Sequence, residues 1–253
     1  MPRRINLLLV RHAVSEANLD KSVNARLPDH RVSLAPEGHE QARRAGEALA
    51  EWLSHSTDPQ DKTRILCSPY HRTRQTSHGI EEALSRENIS YSYREELALR
   101  EISFGLFDGL EDDELPVVYP REHAHYQKHK DFEGEFYARM PMGESRIEVA
   151  DRVKNVFGTI IRDNLPTITS PGIDNFIIVT HGVTLRTFIM QWLHFTPEWY
   201  EKQKNPANAS ITRIWSDGEH PYKMEQIFEG FPYDRETKQD KREEAEKIGK
   251  PDR

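Results

Sequence analysis

Cys67 is the only cysteine in 253 residues, which excludes an internal disulfide framework and suits a reducing compartment. It ends a short apolar run and reads as a packing residue rather than a nucleophile. Long hydrophobic runs are missing as well: the first, Leu7 to Val10, is too short for a signal-peptide core or a membrane span. Nor is there an excess of positive charge. Thirty-five Lys and Arg stand against 42 Asp and Glu, a net charge of −7, so no global field gathers nucleic acid or an acidic membrane. The expectation is a soluble, cytoplasmic protein with neither of those partners; its oligomeric state is not legible. Hydrophobic content of 36% with 30% charged residues is low for a compact globule, so part of the chain is expected to be polar insertion or tail. The chain also lacks a GxxxxGK loop, a GxGxxG fingerprint, an internal repeat and an acidic cluster suited to magnesium.

What is present alternates between strand and helix. Leu7-Leu8-Leu9-Val10 reads as a strand buried on both faces and stops at Arg11-His12. Leu19 to Ser33 reads as a loop with a turn signal at Pro28-Asp29-His30. From Pro36, Ala42, Ala45, Leu49, Trp52 and Leu53 fall on one helical face. Arg64 to Cys67 is a second strand, followed by Ser68 as N-cap and Pro69 as first residue of a helix that carries Arg72. Arg72 lies near the positive end of that helix, where a cation gains nothing, so its presence asks for an anion nearby. A third strand is expected at Ile89 to Tyr93. Glu101 lies in a loop between apolar neighbours, and burial there would raise its pKa, as a general acid needs.

The segment from Pro116 to Met142 is rich in His, Tyr and charge and reads as a surface excursion. His125 and His129 could share a helix face, but a metal site needs three or four convergent ligands. Ser145 and Glu148 form a capping box for the next helix. Phe176 to Thr180 is the best buried strand and runs into His181-Gly182. Two late strands follow, Asn208 to Trp215 and Tyr222 to Phe228. Asp234 to Arg253 carries seven acids and seven bases with almost nothing apolar, and cannot build a core.

The pattern predicts an α/β fold: a mostly parallel central sheet flanked by helices on both faces, with a small cap excursion at about 110–142 and a charged tail at 234–253. Residues 1–233 would form the domain. If the strands are parallel, Arg11-His12, Ser68 to Arg72, and His181 meet at one sheet edge. That environment suits a phosphoryl group, with one imidazole as nucleophile and the other stabilising charge. Each stretch taken alone reads equally as a core strand ending in solvated polar residues.

Taken in order, the motifs resemble those of the histidine phosphatase (phosphoglycerate mutase-like) superfamily. They are Arg11-His12 with Ser15 and Asn18; Gly38 with Gln41-Ala42; Ser68-Pro69 with Arg72-Thr73 and Gln75-Thr76; Glu101 with Phe104-Gly105 and Asp108-Gly109; Gly143-Glu144-Ser145; Thr180-His181-Gly182; and Asn208-Ala209-Ser210. The resemblance covers about residues 5 to 215. Asn18, Pro28-Asp29-His30 and the Met140 to Ser145 region look most like its broad-specificity phosphatase-like branch.

The resemblance implies a metal-independent phosphomonoesterase for a small phosphorylated metabolite, without cofactor. His12 would take the phosphoryl group, and Arg11, Arg72 and His181 would bind its oxygens. Glu101 would protonate the leaving alcohol and then activate water. Ser15, Asn18, Asn208, Ala209 and Ser210 would line the pocket. The family's first motif is normally Arg-His-Gly followed by an acid or glutamine, whereas Ala13 and Val14 stand here. Alanine would be strained if that position needs positive φ, and altered geometry or weakened activity is expected. A mutase, a phosphate-binding module without turnover, and a metallohydrolase using His123, His125 and His129 are the competing readings.

Overall fold

In the computed structural model, residues 3–58 and 60–232 are described. The expected tail at 234–253 lies outside them. The elements are β1 (Ile5–Arg11), α1 (Glu16–Leu19), α2 (Pro36–Ser56), β2 (Thr63–Cys67), α3 (His71–Arg86), β3 (Tyr91–Glu95), α4 (Leu115–Val118), α5 (Pro120–Glu133), α6 (Arg146–Asn164), β4 (Asn175–Thr180), α7 (Gly182–Trp192), α8 (Pro197–Lys202), β5 (Ile211–Ser216) and β6 (Lys223–Phe228). Among them no helix is long and apolar enough to cross a membrane.

The strands form one six-stranded sheet in the order β3-β2-β4-β1-β5-β6. The first four run parallel, and β5 and β6 are antiparallel additions. Because successive side chains alternate across a strand, β1 feeds two cores. Leu7 and Leu9 pack with Phe176, Ile178, Val153 and Phe188 beneath α6 and α7. Leu8 and Val10 pack with Ile65, Ile177, Leu49 and Ile80 beneath α2 and α3. Trimming Leu9 to alanine, at 0% exposure, removes contacts that cost about 2–5 kcal/mol in such settings.

Register sets the site. Arg11 lies opposite Thr180 in the β1–β4 pair, and Cys67 lies opposite Val179 in the β2–β4 pair. His12, Ser68 and His181 therefore leave their strands at nearly the same height, at the carboxyl edge where α/β sheets bind ligands.

Four local expectations change, the first being that β5 begins at Ile211 and leaves Asn208 to Ser210 as a turn. The helix after β2 begins at His71, not Pro69, and Tyr70 rather than Ser68 precedes it. The third strand lies two residues later, at Tyr91–Glu95, as an exposed sheet edge. Leu19 to Ser33 is not plain loop: α1 carries a Ser15–Asn18 capping box, and 3-10 turns occupy Lys21–Ala25 and Asp29–Arg31. Short polar stretches of this kind have no hydrophobic period to betray them. The excursion folds as α4 and α5, neither with a buried residue, tied down where the Phe107 ring meets Tyr126 edge-on at 5.5 Å.

Candidate active site

His12 and His181 face each other at the edge of the sheet, their ring centroids 5.2 Å apart in an edge-to-face arrangement. Both are buried, at 4% and 0% exposure. Burial, followed by the nearby Arg72 and Arg11 guanidiniums, holds the His12 imidazole well below its ordinary pKa. Burial, Arg72 and His12 do the same to His181. Each ring is therefore neutral at physiological pH.

The tautomers follow from the partners. His12 Nδ1 lies 2.7 Å from the Ala13 carbonyl oxygen, which can only accept, so Nδ1 carries the proton. Its Nε2 then holds a lone pair. His181 Nε2 lies 2.8 Å from Ser68 Oγ, and that hydroxyl also accepts, at 3.5 Å, from the Tyr70 N–H. A hydroxyl that accepts from an amide can donate its own proton to Nε2, which leaves His181 Nδ1 protonated. Nδ1 is buried and has no protein partner, so it is a donor available to a ligand oxygen. Ser68, expected as a helix cap, is instead the residue that orients His181.

The loop after β1 is held by backbone groups. The Ala13 N–H donates to Thr76 Oγ1 at 3.1 Å, and the Val14 N–H donates to Gln41 Oε1 at 2.9 Å. Gly38 lets α2 approach: a Cβ there would lie 2.2 Å from the Val14 carbonyl oxygen. Ala13 is fully buried, and its backbone is not left-handed; among the described residues the non-glycine positions with positive φ are Asn88, Met142, His194 and Ala209. The strain considered for Ala13 does not arise, because its φ is not positive, and the loop is fastened through the Ala13 and Val14 amides rather than their side chains.

The turn at 208–210 wraps the same loop from the other side. Asn208 Nδ2 donates to the His12 carbonyl oxygen at 3.1 Å and to Asn18 Oδ1 at 3.2 Å, and the Ala209 N–H donates to His12 O at 3.2 Å. Ala209 adopts φ of 57° to do so. Asn208 Oδ1 and Ser210 Oγ are buried without a protein partner. Asn18 Oδ1 also accepts from the Ser15 N–H and hydroxyl. The structure thus brings Ser15, Asn18, Asn208, Ala209 and Ser210 together around His12, with the Ser15 hydroxyl committed to capping α1.

Arg11 donates to the Pro206 carbonyl oxygen. Arg72, 5% exposed, is the second residue of α3, and the anion its position asks for is Asp29. Arg72 Nη1 donates to the Asp29 carbonyl and to Oδ1, both at 2.7 Å, and Nη2 donates to Oδ2 at 3.2 Å. Three residues on, Gln75 Oε1 accepts from the Leu34 N–H at 2.7 Å. Arg72 and Gln75 thus fasten the segment from Asp29 to Leu34 to α3, and Thr76 on the same helix holds the loop after β1. The Tyr70 ring leans edge-on against His181 at 5.0 Å and under Arg72 at 5.1 Å, and burial pushes its hydroxyl up to about 12.

Glu101 is not enclosed by apolar neighbours as expected. It is half-buried at the start of α7, where Oε1 accepts from Thr184 Oγ1 at 3.1 Å, the Thr184 N–H at 3.3 Å and the Ile102 N–H at 3.0 Å. These contacts spare Oε2. Glu144 fixes the loop from behind: Arg100 Nη2 donates to it at 2.6 Å, Arg152 Nε at 3.0 Å and the Ser103 N–H at 3.0 Å. Burial alone would raise the Glu144 carboxyl, but Arg152, the Ser103 amide and Arg100 together outweigh it and hold the group below its ordinary value. Arg152 also donates to the Ala98 and Glu101 carbonyl oxygens at 2.6 and 3.1 Å. Thr184, Arg152 and Asp29 were not singled out for these roles by the sequence. The only hint was an arginine beside the buried stripe of α6.

His125 and His129 do share a face of α5, with ring centroids 4.5 Å apart. His123 points instead toward Phe107. Among the described residues no group of three or more His, Cys, Asp or Glu could hold a metal ion.

The family model for the histidine phosphatase superfamily (branch 1) matches residues 7–226. The phosphoglycerate mutase-like protein AT74 of Arabidopsis thaliana is 36% identical over 215 residues, covering 83% of this chain and 64% of the relative; the chain thus spans less than two thirds of that protein's length. The broad-range acid phosphatase DET1 of Saccharomyces cerevisiae is 25% identical over 288 residues, with 81% and 83% covered. Among solved structures, the fold is similar to a mycobacterial glucosyl-3-phosphoglycerate phosphatase in complex with inorganic phosphate (TM-score 0.62, 17% identity, 88% and 95% covered). It is also similar to a putative alpha-ribazole-5'-P phosphatase of Escherichia coli (TM-score 0.65, 16% identity, 90% and 98% covered). With an ordered set of motifs at one sheet edge and a family match running from β1 into β6, the chain belongs to the histidine phosphatase superfamily.

Proposed function

We propose that this protein is a metal-independent phosphomonoesterase that acts on a small phosphorylated metabolite through a phosphohistidine at His12. The observation that carries the reading is the His12 imidazole: buried, neutral, and with its Nδ1 proton committed to the Ala13 carbonyl. Its Nε2 lone pair attacks phosphorus as the ester P–O bond breaks. Glu101, through the oxygen not held by Thr184, gives its proton to the leaving alcohol. In the second half, Glu101 takes a proton from water, the water oxygen bonds to phosphorus, and the P–N bond breaks to return neutral His12. Arg11 and Arg72 supply positive charge against the phosphoryl oxygens, and His181 Nδ1–H donates to one of them.

A relative at 25% identity is named a broad-range acid phosphatase, which supports hydrolysis, whereas relatives at 36% and 31% carry phosphoglycerate mutase-like names. The test is phosphate release from an aryl phosphate with and without chelator, beside His12→Ala. Activity indifferent to chelator and absent in the variant is expected. Chelator-sensitive activity that survives His12→Ala contradicts the proposal, and phosphoryl transfer between hydroxyls without net release would favour a mutase.

A further inference from the structure

Arg72 has two hydrogen-bonding edges, and Asp29 occupies only one of them. The Asp29 carboxylate takes Nη1 and Nη2 as a fork, at 2.7 and 3.2 Å, and its own carbonyl takes the remaining Nη1 proton at 2.7 Å. Those three bonds use the outer edge of the guanidinium. The other edge, Nε–H with the second Nη2–H, is a complete fork with the spacing of two oxygens on one phosphorus.

We infer that Asp29 is a positioning residue for Arg72, fixing the guanidinium plane so that its Nε/Nη2 edge is presented to the phosphoryl group. This rests on the assignment of Arg72 as a phosphoryl ligand above.

The surroundings make the pair a rigid fixture. Both partners are largely covered, with side chains 6% and 19% exposed. Asp29 sits in the 3-10 turn Asp29–Arg31, whose continuation is fastened to the same helix by Gln75 at Leu34. Below the guanidinium lies the Tyr70 ring, at 5.1 Å. The plane is thus set on its outer edge by a carboxylate and on one face by an aromatic ring.

Two physical effects oppose each other. A carboxylate beside Arg72 weakens its pull on an anion, so simple electrostatics predicts that removing Asp29 tightens ground-state phosphate binding. Preorganisation works the other way, and works hardest on the trigonal-bipyramidal transition state, whose equatorial oxygens must meet a donor fork already in place. The inference is that the second effect governs turnover.

Orthovanadate and inorganic phosphate separate these effects, since vanadate adopts the five-coordinate geometry and phosphate does not. Binding of both, with turnover of p-nitrophenyl phosphate, is measured for wild type, Asp29→Asn, Asp29→Glu and Arg72→Ala. In Asp29→Asn, kcat and vanadate affinity are expected to fall about tenfold or more, with phosphate affinity moved less than about threefold. The ratio of vanadate to phosphate affinity should decrease in the order wild type, Asp29→Glu, Asp29→Asn. A misfolded protein would lose both ligands together, and Asp29→Glu then carries the comparison through the same ratio. An unchanged ratio and unchanged kcat in the Asp29 variants overturn the inference. So does tighter phosphate binding with equal or faster turnover, which would make Asp29 a competitor for the clamp. Arg72→Ala tells the two levels apart: if it keeps wild-type affinity for both anions, the assignment of Arg72 fails. If it loses both while Asp29→Asn changes nothing, only the role of Asp29 fails.

Discussion

Ser68 and His181, 113 residues apart, are joined by a 2.8 Å hydrogen bond between Oγ and Nε2 that leaves Nδ1 as the ring nitrogen without a protein partner. The hydroxyl is fully buried at the end of β2 and has no competing solvent. Ser68→Ala should therefore leave the fold intact and release the tautomer. A fall in kcat of about 10- to 1000-fold is expected, since a wrong tautomer costs about four orders of magnitude in the serine protease case. Steady-state kinetics with an aryl phosphate checks this; wild-type kcat would show that Ser68 does not set the tautomer.

Gly38 is predicted to be intolerant of any side chain. A Cβ would lie 2.2 Å from the Val14 carbonyl oxygen and 3.1 Å from Leu34 Cβ. Backbone on one side cannot give way cheaply, so Gly38→Ala should cost about 1–3 kcal/mol, the usual range for overpacking. Urea unfolding of the variant measures the loss.

Glu144→Gln should loosen the segment that carries Glu101. It removes the charge that holds Arg100, Arg152 and the Ser103 amide. Loss of one partner in such a network costs about 1–3 kcal/mol. Lower kcat with nearly unchanged KM is expected, because the groups assigned to the phosphoryl oxygens lie on other elements.

Stability should fall on acidification. His12 and His181 are both held below their ordinary value of 6.5, chiefly by burial. Below that pH the unfolded chain binds two protons that the native chain refuses, so the unfolded state gains. The stability is present in full above about pH 7 and is lost as pH falls, at about 1.4 kcal/mol per pH unit for each ring. Both rings should contribute to this loss between pH 7.5 and 5.5. Denaturant unfolding at the two pH values, repeated with His12→Asn, should show roughly half that dependence in the variant.

Much of the fold was legible because its strands are apolar runs and its long helices carry clean apolar stripes. The meeting of Arg11, His12, Arg72 and His181 followed from parallel strands alone. What could not be read were partnerships set by register and loop path. Ser68 before Pro69 has every local mark of a helix cap, yet the register against β4 turns its hydroxyl to His181. Asp29 looked like a turn residue, since its partner is 43 positions away. Glu101 sits among apolar neighbours in sequence, but the chain delivers it to the first turn of α7. Ala13 and Val14 departed from the family pattern in side chain only, while the loop is secured through their amides.

The most direct test is to look for the phosphoryl group on His12. Enzyme is mixed with p-nitrophenyl phosphate, quenched in alkali to preserve phosphohistidine, and its peptides are mapped by mass spectrometry. Glu101→Gln should accumulate the intermediate, because a nitrophenolate leaves without a proton while hydrolysis of the P–N bond still needs a base. One phosphoryl group is expected on the peptide containing His12, enriched in Glu101→Gln and absent in His12→Ala. A phosphoryl group on another residue, or full turnover by His12→Ala, would contradict it.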